Sequence, residues 1–185
     1  MRNYILFIQG GGNGGYEADE KLVASLRSAL GPAYEIKYPQ IIPDESKKDF
    51  GWLQQIGNAI SGIESEMILV GHSFGASMLL KYLSENKIKE QIAGIFLIAT
   101  PFWRGKEDWE QGLKLKENFV DHLPADTPIW FYHCKDDEEI SFDNLLEYKQ
   151  KLPQAIFREI GNGGHQLNND LKIIANDIKA LRKSS

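Results

Sequence analysis

Apolar residues follow two patterns that alternate along the chain. Short runs rich in β-branched, aliphatic and aromatic residues occupy positions 4–9, 34–38, 67–71, 92–99, 129–134 and 155–160, bounded by Gly, Pro or Asp. Runs of this length and composition predict strands buried on both faces, as in a parallel sheet. Between them the apolar spacing changes to three and four, as in Leu22-Leu26-Leu30, Trp52-Ile56-Ile60-Ile63 and Leu79-Leu83, which predicts amphipathic helices. The last stretch, Leu167-Leu171-Ile174-Ile178-Leu181, predicts a C-terminal helix, and Arg182-Lys183 would suit its negative end.

Strands and helices in strict alternation predict a three-layer α/β/α sandwich: a mostly parallel sheet of about six strands with right-handed crossovers and helices on both faces. A chain of 185 residues can close one such core, and no repeat or linker divides it, so residues 1–185 are expected to form a single domain. The least regular stretches are 39–51 and 102–124. In sheets of this kind the functional groups gather beyond the C-terminal ends of the strands.

Charge narrows the partners. The net charge is −5 and no Lys/Arg cluster forms a basic stripe; the nearest candidate, Lys47-Lys48, is flanked by Asp44, Glu45 and Asp49, which argues against nucleic acid or an anionic membrane as partner. The N-terminal apolar run stops at Gln9-Gly10, too short for a signal peptide or a membrane span. A lone cysteine, Cys134, permits no intrachain disulfide, so a cytoplasmic location is expected. Cys134 itself is read as packing.

The chemistry begins at Gly71-His72-Ser73-Phe74-Gly75, which fits G-x-S-x-G directly between a predicted strand and a predicted helix. The bare pattern occurs by chance in about one chain of this composition in ten, so the strand–turn–helix context carries the weight. A serine on so sharp a turn is held in a strained backbone conformation, and small residues two before and two after it let neighbouring backbone approach. Ser73 is thus the candidate nucleophile.

A nucleophilic serine needs a base, and the chain has four histidines. His133 lies inside a strand, His72 flanks the serine and should point elsewhere, and His122 sits in irregular chain. His165, in the loop Gly161-Asn162-Gly163-Gly164-His165 between the last strand and the last helix, can hang over the sheet edge. The orienting acid is expected among Asp136, Asp137, Glu138 and Glu139, just after the fifth strand, with Glu138 and Glu139 read as solvated charges.

On these residues the chain resembles the α/β-hydrolase family over nearly its whole length, and most of all the small lidless serine hydrolases of the retinoblastoma-binding-protein type. Ser, acid and His come in that family's order. The stretch from His133 to Ile140 resembles the family turn H-G-x-x-D-x-x-V, which implies Asp137 as the acid with Asp136 as its rival. It departs at Cys134, where the family often has Gly, and at Ser141, where it often has Pro. The loop Gln9 to Gly15 resembles the family's H-G-x-G loop with Gln9 in place of His. The resemblance then implies an oxyanion hole made by the backbone N–H groups of Phe74 and Gly11, with Gly12 as alternative to Gly11.

The implied activity is hydrolysis of a small-molecule ester-like substrate, a carboxylic ester or thioester, through an acyl-enzyme on Ser73, with no metal or organic cofactor. Phe102 and Trp103, immediately after the fourth strand, are candidates for an apolar substrate pocket. Trp109 and Leu113 share a helical spacing that suits the core as well as a pocket. The 102–124 stretch is too short for a separate cap domain. Two other readings compete. One is a non-catalytic binding protein that keeps the fold. The other is a dinucleotide-binding protein using Gly10, Gly12 and Gly15 as G-x-G-x-x-G, against which the second strand ends in Pro39-Gln40 rather than in an acid.

Overall fold

Six strands and five α-helices, alternating except that the fourth and fifth strands follow each other with no α-helix between, make up the computed structural model, which describes residues 3–12 and 14–181. They are β1 (Asn3–Ile8), α1 (Gly15–Leu30), β2 (Tyr34–Lys37), α2 (Trp52–Ser61), β3 (Met67–His72), α3 (Ser73–Glu85), β4 (Ile92–Ile98), β5 (Ile129–Cys134), α4 (Asp143–Lys151), β6 (Ile156–Ile160) and α5 (Lys172–Leu181). All strand pairs are parallel, in the order β2-β1-β3-β4-β5-β6.

Side chains alternate across this sheet, as the two-residue period of a strand requires. Leu6, Ile8, Leu69, Ile95, Leu97 and Phe131 face one layer, where they pack with Trp52, Ile56 and Ile60 of α2, Leu79 and Leu83 of α3, and Leu145 and Tyr148 of α4. Ile5, Phe7, Ile68, Val70, Phe96, Ile98 and Tyr132 face the other, against Leu22 and Leu26 of α1 and Ile174 and Ile178 of α5. The expected three-layer sandwich is therefore present, with a wholly parallel sheet.

Several sequence expectations are corrected by tertiary position. β2 and β6 are not buried on both faces, because they are the sheet's two edges. The C-terminal helix starts at Lys172 rather than at Leu167. Leu167, Asn168 and Asn169 instead form a left-handed turn, with φ of 48°, 52° and 54°. Asparagine tolerates this region better than most residues, and the turn buries Leu167 while reversing the chain after the His165 loop. Arg182-Lys183 lies outside the described residues. Helix α4 is an addition to the predicted set. In the 102–124 stretch, two short 3-10 turns, Asp108–Gly112 and Phe119–His122, replace any cap. Leu113 and Phe119 fill the core, whereas Trp109 is 47% exposed, so its helical spacing to Leu113 is not a core stripe.

The strand order reverses between β1 and β3: the chain leaves β1 toward β2, then crosses back to build β4, β5 and β6 on the other side. A crevice forms beyond the strand ends at such a switch point. The glycine-rich loop after β1 and the Ser73 turn after β3 meet there.

Candidate active site

Ser73 stands at the junction of β3 and α3 with φ of 51°, in the left-handed region that a non-glycine residue enters only when its surroundings hold it. The surroundings are specific. A Cβ on Gly71 would lie 2.7 Å from Ala76 Cα, and one on Gly75 would lie 1.9 Å from the carbonyl oxygen of Gln9. Both flanking glycines are thus required by close backbone approach, and together they press the turn against β1.

His165 lies over this turn. Its Nε2 is 2.9 Å from Ser73 Oγ and its Nδ1 is 3.0 Å from both carboxylate oxygens of Asp137. The Nδ1–H must point at the carboxylate, so Nε2 is left as the acceptor of a hydrogen bond from the Ser73 hydroxyl. The residues come from three distant segments, the β3–α3 turn, the turn after β5 and the loop after β6.

The Asp137 carboxylate is fully buried, and Oδ1 accepts the amides of Glu139 and Ile140 at 3.0 and 2.8 Å. Its Oδ2 is 3.3 Å from Nε2 of His133, a ring nitrogen that also donates to the Ile140 carbonyl at 2.8 Å. Burial alone would push the Asp137 carboxyl up, but the bonds from His133, His165 and the Ile140 amide outweigh it and hold the group well below the usual carboxylate range. For His165, burial works to lower the pKa, and the Asp137 bond and charge, with Glu139 and Asp19 behind them, raise it above the ordinary histidine value.

The rest of the acidic turn has structural partners. Asp136, the rival acid, accepts the backbone N–H groups of Gly163 and Gly164 at 3.1 and 3.0 Å and does not meet the imidazole. Glu138, expected as a solvated charge, accepts the His165 backbone N–H at 3.0 Å. Its role is to grip the loop, which side-chain chemistry alone could not reveal. Glu139 is 65% exposed with Oε2 3.6 Å from His165 Nε2. Cys134 is buried, and burial followed by the charges of Asp136, Asp137 and Glu138 pushes its thiol up to about 11, which leaves little thiolate near neutrality.

At the glycine-rich loop, Gly11 lies against Phe74: a Cβ there would be 2.8 Å from Phe74 Cβ. The N–H of Gly10 is donated to Asp19 Oδ2 at 2.7 Å, so it is unavailable to a ligand, and a Cβ on Gly12 would meet nothing within 4 Å. Gly11 rather than Gly12 is therefore the glycine beside the serine turn. Gln9, standing where the resembled loop has His, accepts the Ile41 amide at 2.9 Å and anchors the chain after β2.

A row of aromatic rings leads away from the serine. Phe74 meets Trp52 at 4.9 Å, Phe50 at 6.3 Å and Trp103 at 5.9 Å between centroids, and Trp103 meets the exposed Trp109 at 5.4 Å. The Trp103 indole N–H donates to Ser77 Oγ at 3.0 Å, which fixes its ring on α3. Phe102 turns aside, with its ring edge-on to Tyr148 at 5.1 Å. Trp103 thus joins the serine's surroundings and Phe102 packs on α4. A separate cleft of about 510 Å³, lined by Leu123, Pro128, Ile129 and Ala155, opens at the N-terminal ends of β5 and β6, away from Ser73.

A parallel sheet with a serine turn after β3, an acid turn after β5 and a histidine loop after β6 is the arrangement of the α/β-hydrolase fold. The chain matches the serine hydrolase family over residues 26–171 and belongs to it. It is 23% identical over 124 residues to YdeN of Bacillus subtilis (strain 168), a match spanning 64% of this chain and 63% of that protein, just under two thirds of YdeN's length. The crystal structure of the B. subtilis ydeN product superposes with a TM-score of 0.70 at 14% identity, covering 99% of this chain and 100% of that one. Est1E of Butyrivibrio proteoclasticus gives 0.70 at 13% identity, covering 99% and 88%. SOBER1 of Arabidopsis thaliana gives 0.65 at 18% identity, covering 98% and 99%. These superpositions share the fold. Among the described residues no helix is long and apolar enough to cross a membrane.

Proposed function

We propose that this serine hydrolase cleaves a small carboxylic ester or thioester through an acyl-enzyme on Ser73. The observation that carries the reading is the unbroken hydrogen-bond chain from Ser73 Oγ through His165 to Asp137. In this reading Ser73 Oγ attacks the carbonyl carbon while its proton passes to His165 Nε2, and Asp137 stabilises the imidazolium that forms. The N–H groups of Gly11 and Phe74 receive the oxyanion; among the described residues neither is donated to a protein acceptor. Collapse of the intermediate expels the alcohol or thiol, which takes the proton from His165. Water, deprotonated by His165, then attacks the acyl carbon and regenerates Ser73. The chemistry uses protein groups throughout, and the lone cysteine is the feature that supports a cytoplasmic location.

The test of this mechanism is partitioning. p-Nitrophenyl and phenyl esters of the same acid should divide identically between water and added methanol, because both pass through one acyl-enzyme. Product ratios that follow the leaving group would refute it.

The aromatic row from Phe74 to Trp109 supports an apolar acyl group lying along Trp103. Trp103→Ala is expected to raise KM about tenfold for hexanoyl p-nitrophenyl ester and to leave acetyl ester turnover within about twofold, since one aromatic face contributes roughly 1–2 kcal/mol. Equal losses for both esters would remove Trp103 from the pocket.

His165 acts as base only when neutral. Because its pKa is raised, kcat/KM should begin to fall on acidification at a higher pH than an ordinary histidine would give. Glu139→Gln removes one of the charges that raise it and should move this limb to lower pH, less so at high salt because Glu139 is exposed. A limb that does not move would contradict the assignment.

A further inference from the structure

A second Asp–His pair lies beneath the site. Asp19, on α1, and His72, the last residue of β3, are each 1% exposed, and His72 Nδ1 is 2.9 Å from Asp19 Oδ2. The same carboxylate oxygen accepts the Gly10 N–H at 2.7 Å, and Asp19 Oδ1 accepts the Gln166 side-chain amide at 3.2 Å. His72 Nε2 lies 3.1 Å from the backbone carbonyl oxygen of His165, with the two rings 4.8 Å apart.

Each arm ends on a different part of the machinery. Gly10 precedes Gly11, which lies against Phe74 of the serine turn; His72 precedes Ser73; and the His165 carbonyl and Gln166 belong to the loop that carries the base. The three segments are otherwise far apart in sequence, with His72 and His165 separated by 93 positions. A buried carboxylate is costly unless it is hydrogen-bonded, and here polar groups of Gly10, His72 and Gln166 reach it from three segments. An apolar pair could fill the same space but would set no register among the loops.

We infer that Asp19 and His72 form a positioning pair that fixes the Gly11 N–H, Ser73 Oγ and the His165 ring relative to one another. The inference rests on the reading of Ser73 as nucleophile. Both side chains are buried at 1% exposure, so the pair acts on the geometry of the reacting groups. Displacements of about 1 Å in such groups cost on the order of 100-fold in rate. Loss of the pair should therefore appear in kcat rather than in KM.

The test is steady-state ester kinetics on folded protein, with circular dichroism and thermal melting alongside. Asp19→Asn and His72→Leu are expected to lower kcat by about 10- to 100-fold with KM within about threefold. His72→Gln, whose amide can still reach the His165 carbonyl, should retain more kcat than His72→Leu. The double variant Asp19→Asn/His72→Leu should be no slower than the worse single one, as expected of residues that act as a unit. Gln166→Leu, at a half-buried position, removes one arm and should lower kcat about fivefold. Should the Asp19 and His72 variants fail to fold, Gln166→Leu decides, and wild-type kcat there overturns the pair. Wild-type kcat in folded Asp19→Asn, with turnover still dependent on Ser73, likewise overturns the pair and spares the catalytic reading. Turnover that survives Ser73→Ala would overturn that reading first, and the pair with it.

Discussion

Ester turnover by the Ser73→Ala variant is expected to fall by about 10⁶-fold in kcat, the scale seen when a triad nucleophile is removed from other serine hydrolases. On the proposed mechanism the reason is covalent: without Oγ no acyl-enzyme can form, and only positioning and the proposed oxyanion donors remain. His165→Ala should cost about as much, because an unactivated serine hydroxyl is a weak nucleophile near neutral pH. Combining the two should cost nothing further. Asp137→Asn tests a subtler point. The amide would keep the shape, but it could present its NH₂ to His165 and favour the tautomer with the proton on Nε2, facing Ser73. A fall of about 10⁴-fold is expected. Because Asp137 also binds His133 and the amides of Glu139 and Ile140, its variant should be compared at equal folded fraction. Asp136→Asn keeps an acceptor for only one of the Gly163 and Gly164 amides, which bond different carboxylate oxygens, and should still lose less than about tenfold because Asp136 does not meet the imidazole. A reversal of that order would make Asp136 the acid.

The second large effect is on folding. Gly75→Ala is expected to destabilise the protein by about 3 kcal/mol, the upper part of the range for overpacking a filled site. The new methyl would stand 1.9 Å from the Gln9 carbonyl oxygen and 2.9 Å from Ile8 Cγ2. Backbone cannot yield as a flexible side chain can, so α3 must move off β1, and Phe74 moves with it. The urea midpoint should drop at unchanged slope, and the folded fraction should also turn over more slowly. Gly161→Ala is the control: a Cβ there meets nothing within 4 Å, and stability should stay within about 0.5 kcal/mol of the parent. If Gly75→Ala is as stable as Gly161→Ala, the tight elbow described above is wrong.

What could be read from the sequence was what local chemistry dictates. The Ser73 turn announced itself because two glycines are compelled by contacts within a few residues or with the adjacent strand. His165 stood out as the one histidine in a glycine-rich loop after the last strand. The central strands were legible because they are buried on both faces and therefore apolar throughout. The edges were not: Ile156, Phe157 and Ile160 of β6 look like a core strand until its place at the end of the sheet is known. Helix α4 escaped because only Leu145, Tyr148 and the following Leu152 are buried, and Leu146 between them is exposed. The four-residue spacing of Leu167 and Leu171 matches a helix, yet Leu167 belongs to a left-handed turn and only Leu171 adjoins α5. Glu138 and the pair Asp19–His72 were invisible for another reason. Their partners are a backbone N–H and a side chain 27 and 53 positions away, and no local pattern marks such contacts.

The most direct measurement is labelling of the folded wild-type protein with a fluorophosphonate probe, followed by peptide mass mapping. The account predicts a single adduct on Ser73, formed slowly or not at all in His165→Ala. A folded wild type that stays unlabelled, or an adduct on another residue, would contradict it and favour a protein that keeps this fold for binding.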